Sequence, residues 1–123
     1  MSKRILIVDD SKLSREMTKM TLEQGGYAVD GVGSANEALE VLQKAEPYNL
    51  IILDLILPGL DGFTFLEMLR NSDTFKNVPV MVLSSRDSKE EKERVRHFGI
   101  TTYMVKHLAH PTDVLKTIKT IID

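Results

Sequence analysis

The sequence predicts an α/β protein: a doubly wound, five-stranded parallel sheet in the order 2-1-3-4-5, flavodoxin-like, with five helices on its two faces. Two observations predict it. Five short apolar runs alternate with five stretches of helical spacing, with no linker, repeat or low-complexity segment between them, which is the pattern of β-α units. The runs beginning at Ile5, Leu50 and Val80 are apolar on both faces, whereas the second and fifth mix in polar residues. Doubly apolar strands belong in the middle of a parallel sheet. Right-handed crossovers then leave few topologies, and the order 2-1-3-4-5 puts both mixed strands at the edges.

The first strand is Arg4 to Val8. The helix after it places Leu13, Met17 and Met20 on one face and stops at Gly25-Gly26. The second strand is Tyr27 to Val32. Ser34 and Glu37 then form a capping box for a helix with Ala38, Leu39, Leu42 and Ala45 on one side, ending before Pro47. The third strand is Leu50 to Asp54, followed by a helix from about Asp61, capped there, with Leu66 and Leu69 inward. The fourth strand is Val80 to Ser84. Ser88 and Glu91 make a second capping box for a helix that stops at Gly99 and has little beyond Val95 and Phe98 to bury, so it should pack most lightly. Thr101 to Val105 is the fifth strand. Pro111 opens the last helix, whose stripe is Val114, Leu115, Ile118, Ile121 and Ile122. The six methionines read as core filler.

At 123 residues and 42% hydrophobic content the chain suits one domain, 1–123, with its own core. The last helix runs to Asp123, which predicts no output module. Sixteen Lys and Arg against 18 Asp and Glu, without a basic run, disfavour nucleic acid and anionic membrane as partners. The apolar stretch after Met1 to Arg4 is too short for a signal peptide, and every other apolar run is broken early, so a cytoplasmic protein is expected. The absence of cysteine removes disulfides, thiolate metal sites and thiol nucleophiles. Any chemistry must use oxygen and nitrogen.

Ligands of open α/β sheets bind beyond the carboxyl ends of the strands, where strand order reverses. There the first strand ends in Asp9-Asp10, the third in Asp54, the fourth in Ser84, and the fifth is followed by Lys106. Three crowded carboxylates raise one another's pKa unless a cation sits among them, and a hard dication such as Mg²⁺ takes all-oxygen ligands. A carboxylate nucleophile, a hydroxyl and an ammonium complete the parts of a phosphoryl-transfer site. Taken singly, each residue has a plainer reading. Asp9-Asp10 would cap a helix, Lys106 would be a surface lysine, Ser84 a strand-end hydroxyl and Tyr103 an edge-strand residue. The weight lies in their landing on one rim.

These residues resemble the receiver domains of two-component response regulators, over the whole chain. The resemblance lies in Ile7-Val8-Asp9-Asp10, in the stretch from Asp54 through Pro58-Gly59 to Asp61-Gly62, in Ser84 ending Val80-Met81-Val82-Leu83, and in Tyr103-Met104-Val105-Lys106. It implies that Asp54 is the phosphoacceptor and that Asp9 and Asp10 organise Mg²⁺, with the Ile56 carbonyl a further ligand. Ser84 and Lys106 would contact the phosphoryl group, and Tyr103 would be the switch aromatic. A histidine kinase or phosphotransfer protein would donate the phosphoryl group, and the face of the fourth helix, fifth strand and fifth helix would signal to a target protein. The sequence leaves open whether two copies pair on phosphorylation.

The resemblance breaks at one place: His107 follows Lys106, where the family carries proline, often after a cis bond. A cis bond before a non-proline residue costs about 3 kcal/mol, and the sequence leaves open whether Lys106–His107 is cis or trans. That departure motivates a second reading, a degenerate receiver that binds partners without phosphorylation. A third, an aspartyl-phosphate phosphatase, needs a second acid two residues after the nucleophile, and Ile56 stands there. Ile56 and Ser85, where alanine is common, should influence the lifetime of the phosphorylated state. The Gly31-Val32-Gly33 run reads as a turn rather than a dinucleotide loop, and His107 and His110 as surface residues.

Overall fold

The computed structural model describes residues 3–44 and 47–122. Its strands are β1 (Arg4–Val8), β2 (Ala28–Val32), β3 (Leu50–Leu53), β4 (Val80–Ser84) and β5 (Thr102–Val105), and its helices α1 (Lys12–Gln24), α2 (Ala35–Lys44), α3 (Gly62–Arg70), α4 (Lys89–Arg96) and α5 (Pro111–Ile122). All pairings are parallel, in the order β2-β1-β3-β4-β5. The expected topology is therefore the observed one.

Alternation along the strands divides the core into two layers. Leu6, Val8, Ile51, Leu53, Val80 and Val82 face α2, α3 and α4, meeting Ala38, Leu42, Phe65, Leu66, Leu69 and Val95. Ile5, Ile7, Leu50, Ile52, Met81 and Leu83 face α1 and α5, meeting Leu22, Val114 and Ile118. Each fully buried Leu, Ile or Val of this kind contributes about 1.5–3 kcal/mol of transfer free energy.

Three strand limits differ from expectation by a residue. The Tyr27 N–H bonds the Leu22 carbonyl at the end of α1, so β2 starts at Ala28. β5 starts at Thr102, and β3 ends at Leu53, leaving Asp54 just past the strand with its N–H still on the Val8 carbonyl at 2.9 Å.

On α1 the stripe that the sequence shows is not the buried face. Leu13, Met17 and Met20 are 73%, 48% and 59% exposed, while Thr18 and Leu22 are buried. At about 100° per residue Leu22 lies roughly opposite Leu13, and the side chain that fits the sheet is Leu22. Periodicity located a stripe but not the side on which the sheet stands. The methionines follow suit: Met81 is fully buried, but Met17, Met20 and Met68 are exposed rather than core filler. Ala45 lies outside the described residues.

The N-caps fall where expected, but the reciprocal half of the Ser88–Glu91 box does not form, since Glu91 Oε1 has no hydrogen-bond partner. Ser34, Ser88 and Asp61 accept from the N–H groups of Glu37, Glu91 and Thr64 at 3.1, 3.1 and 2.8 Å. The Thr64 N–H holds the Asp61 carboxyl below its ordinary pKa. A folded-state pKa below the unfolded one adds stability that is present at neutral pH and lost as pH falls through the folded value. Asp61→Ala is therefore expected to cost about 1 kcal/mol at pH 7, and the gap to wild type in urea melts should shrink on acidification below pH 4.

Helix α4 buries only Val95. Much else at its ends is polar: Arg94 stacks on the Phe63 ring of α3 at 3.8 Å. Arg70 of α3 donates to the carbonyls of Phe98 at 2.6 Å and Val78 at 2.9 Å, pinning the turn after α4 to the entry of β4.

Candidate phosphoryl-transfer site

Parallel register brings the acids together. Val8 pairs with Leu53, so the residues that follow, Asp9 and Asp54, emerge side by side at the carboxyl rim although 45 positions separate them in sequence. Both are buried, at 3% and 4% exposure, whereas Asp10 is exposed. One carboxylate oxygen from each of Asp9, Asp10 and Asp54 lies within 4.8 Å of the others.

Lys106 enters from just past β5, the edge strand, at the same rim. Its N–H bonds the Ser84 carbonyl at 2.7 Å, which holds the start of the β5–α5 loop against β4. Its ammonium reaches Asp9 Oδ2 at 2.8 Å and Asp54 Oδ2 at 3.0 Å. Among the described residues no peptide bond is cis, so Lys106–His107, which the sequence left open, is trans. The histidine in place of proline thus leaves the lysine in contact with both acids.

The remaining carboxylate oxygens are held by the chain itself: Asp9 Oδ1 accepts from the Ser11 N–H and Asp54 Oδ1 from the Ile56 N–H, each at 3.0 Å. Ile56 itself is exposed. Burial pushes the Asp54 carboxyl above its ordinary pKa; the Ile56 N–H and the Lys106 ammonium pull it back in part, and the Asp9 charge raises it further. Burial alone would depress Lys106, yet its two carboxylate partners hold the ammonium above the usual lysine value. A buried acid that one ammonium leaves incompletely compensated, beside two more carboxylates, suits a hard dication with oxygen ligands.

Ser84 is completely buried at the end of β4, with its Oγ accepting from the Arg86 N–H at 3.1 Å. Tyr103, half-buried on β5, donates its hydroxyl to the Arg86 carbonyl at 2.8 Å. The backbone of a single residue therefore joins the serine to the tyrosine. Nothing in the sequence pointed to Arg86, because the link uses backbone groups that every residue carries. Arg15, which touches the Asp9 carbonyl at 2.7 Å, was also missed.

An open doubly wound sheet with an acidic cluster and a lysine converging at its switch point defines a class of signalling module. The chain belongs to the response regulator receiver domain family, whose model matches residues 5–119. It is a receiver domain of two-component signalling, a family that binds Mg²⁺ at its acidic pocket and interacts with kinases and downstream effectors. It is 37% identical over 103 residues to the transcriptional regulatory protein HprR of Escherichia coli, covering 84% of this chain and 44% of that protein. It is 28% identical over 122 residues to the polar-differentiation response regulator DivK of Brucella ovis, covering 99% and 98% of the two chains. The chemotaxis response regulator CheY4 of Vibrio cholerae superposes with a TM-score of 0.89 at 33% identity, covering 98% of this chain and 99% of that one. The chain spans about half the length of the first relatives it matches, HprR and PhoB. Among the described residues no helix is long and apolar enough to cross a membrane.

Proposed function

We propose that Asp54 accepts a phosphoryl group from a phosphohistidine of a kinase or phosphotransfer protein in the cytoplasm. The convergence of Lys106 on the buried Asp54 carboxylate, with Asp9 and Asp10 within coordinating reach, carries this reading. An ionised Asp54 oxygen attacks phosphorus in line. The P–N bond breaks with its electron pair going to the imidazole, and an acyl phosphate results. Asp10, Asp54 and the Ile56 carbonyl would hold Mg²⁺, with Asp9 supporting them; the ion supplies charge neutralisation for the phosphoryl oxygens. Lys106 stays close throughout as the protein's own cation. Asp9 keeps that ammonium in place when the acyl phosphate forms.

The phosphodonor has an apolar surface to meet. Leu13 and Met17 of α1, with Leu108 from the β5–α5 loop, line a groove of about 530 Å³ that reaches Lys106. Leu108 is 68% exposed, and such a patch beside a reactive rim suits a partner helix.

The signal would leave through Ser84, Arg86 and Tyr103. Ser84 Oγ turns toward the new phosphoryl oxygens and releases the Arg86 N–H. The β4–α4 loop shifts, and the Tyr103 ring moves with it. This changes the face of α4, β5 and α5 that a target protein, or a second phosphorylated copy, would read.

Acetyl phosphate with Mg²⁺ should add one phosphoryl mass that maps to the peptide containing Asp54, and chelation of the metal should prevent it. Incorporation that maps elsewhere, or that ignores chelation, defeats the proposal.

A further inference from the structure

The acids of the site are not held alike. The Asp9 carboxylate is bound by the Ser11 N–H and Lys106, and the Asp54 carboxylate by the Ile56 N–H and Lys106. Among the described residues the Asp10 carboxylate makes no hydrogen bond or ion pair, and Asp10 is exposed. Its position therefore depends on its backbone. The residue before it is pinned at both ends: the Asp9 N–H donates to the Val32 carbonyl at 3.0 Å, and the Asp9 carbonyl accepts from Arg15 Nη1 at 2.7 Å.

Arg15 reaches that carbonyl from α1 across the end of β2, past two glycines. A β-carbon at Gly31 would stand 3.0 Å from both Cγ and Cδ of Arg15, and one at Gly33 would stand 3.4 Å from Nη1. Neither glycine has a positive φ. Backbone conformation therefore demands glycine at neither place; room for the arginine stem favours it at Gly31, while a β-carbon at Gly33 would make an ordinary contact. The Gly31-Val32-Gly33 run that reads as a turn in the sequence is, in the fold, the trough in which this side chain lies.

Resting on the Mg²⁺ reading above, we infer that Arg15 is a positioning residue for the metal site: by clamping the Asp9–Asp10 peptide it keeps the Asp10 carboxylate where a dication can use it. The opposite effect follows if the guanidinium acts only by its charge. A fixed positive charge near a dication site repels the ion, so its removal would tighten binding. Loss of a clamp weakens binding, and partners that orient metal ligands are typically worth 10–100-fold in affinity. The two roles differ in sign.

Calorimetric Mg²⁺ titration of the unphosphorylated protein separates them. Arg15→Met is expected to weaken Mg²⁺ binding about tenfold, and Arg15→Lys, which keeps a donor but loses the fork, to weaken it less. Gly31→Val keeps the arginine and suits an extended strand, yet crowds the stem out of its trough. It is expected to weaken binding in the same direction while the melting temperature stays at or above wild type. Amide shifts of Asp10 should report the same ranking. If wild type binds Mg²⁺ and both Arg15→Met and Gly31→Val bind it equally well or more tightly, the clamp is wrong and the metal site stands. A wild type that binds no Mg²⁺ removes the site and the clamp together. If Arg15→Met does not fold, Gly31→Val decides alone.

Discussion

Asp54→Asn is expected to reduce phosphoryl incorporation from acetyl phosphate to background and, at the same time, to make the metal-free protein more resistant to heat. The first effect follows from chemistry: the amide lacks the anionic oxygen that attacks phosphorus. The second follows from burial. Asp54 is 4% exposed, and desolvation outweighs the help of the Ile56 N–H and Lys106, so its pKa is raised in the folded protein. An acid whose folded pKa exceeds its unfolded pKa destabilises the fold fully above the folded value. It ceases to do so below the unfolded one. The stability gain of the Asn variant should therefore be largest at neutral pH and vanish as pH falls through the folded pKa toward that of a free aspartate. Mass spectrometry and melting curves across pH check both halves. Equal phosphoryl uptake by the variant would end the assignment of Asp54, and a melting temperature below wild type would end the account of its burial.

Lys106→Met is expected to cost about 3–5 kcal/mol of folding stability in the absence of divalent metal, the range for removing one partner of a buried ion pair. The ammonium bridges Asp9 and Asp54 at 2.8 and 3.0 Å with only 18% of its side chain exposed. Methionine fills much the same space, so packing is largely kept while two buried carboxylates are left facing each other. The lysine's raised pKa means that its contribution is complete at pH 7 and is lost only as pH rises through its folded value. Urea unfolding with and without Mg²⁺ gives the measure: the dication should recover part of the deficit by replacing the missing charge. A variant as stable as wild type, or one indifferent to Mg²⁺, would show that the three side chains do not form one electrostatic unit.

Much of this arrangement was legible before any coordinates. Ile5 to Val8, Leu50 to Leu53 and Val80 to Leu83 announce central strands because both of their faces must be apolar. The carboxyl end of a strand is placed by the sheet, so Asp9 and Asp54, each just past a strand, and Ser84, which ends one, fall on one rim once the order β2-β1-β3-β4-β5 is accepted. The caps at Ser34, Asp61 and Ser88 were equally readable, since a cap acts within four residues of itself. Assignments of local range succeeded because their causes are local.

The sequence by itself determined the strand and helix alternation, which strands are central and the set of oxygen and nitrogen groups available at the carboxyl edge, and it narrowed the sheet order to a few topologies of which 2-1-3-4-5 is the one observed. Only the tertiary structure decided which side of α1 is buried, that Arg86 links Ser84 to Tyr103 through its backbone, and that Gly31 makes room for Arg15. Those outcomes depend on how one element is rotated against another and on backbone groups common to every residue. Periodicity gives the spacing of side chains around an axis and says nothing of the angle at which that axis meets its neighbour.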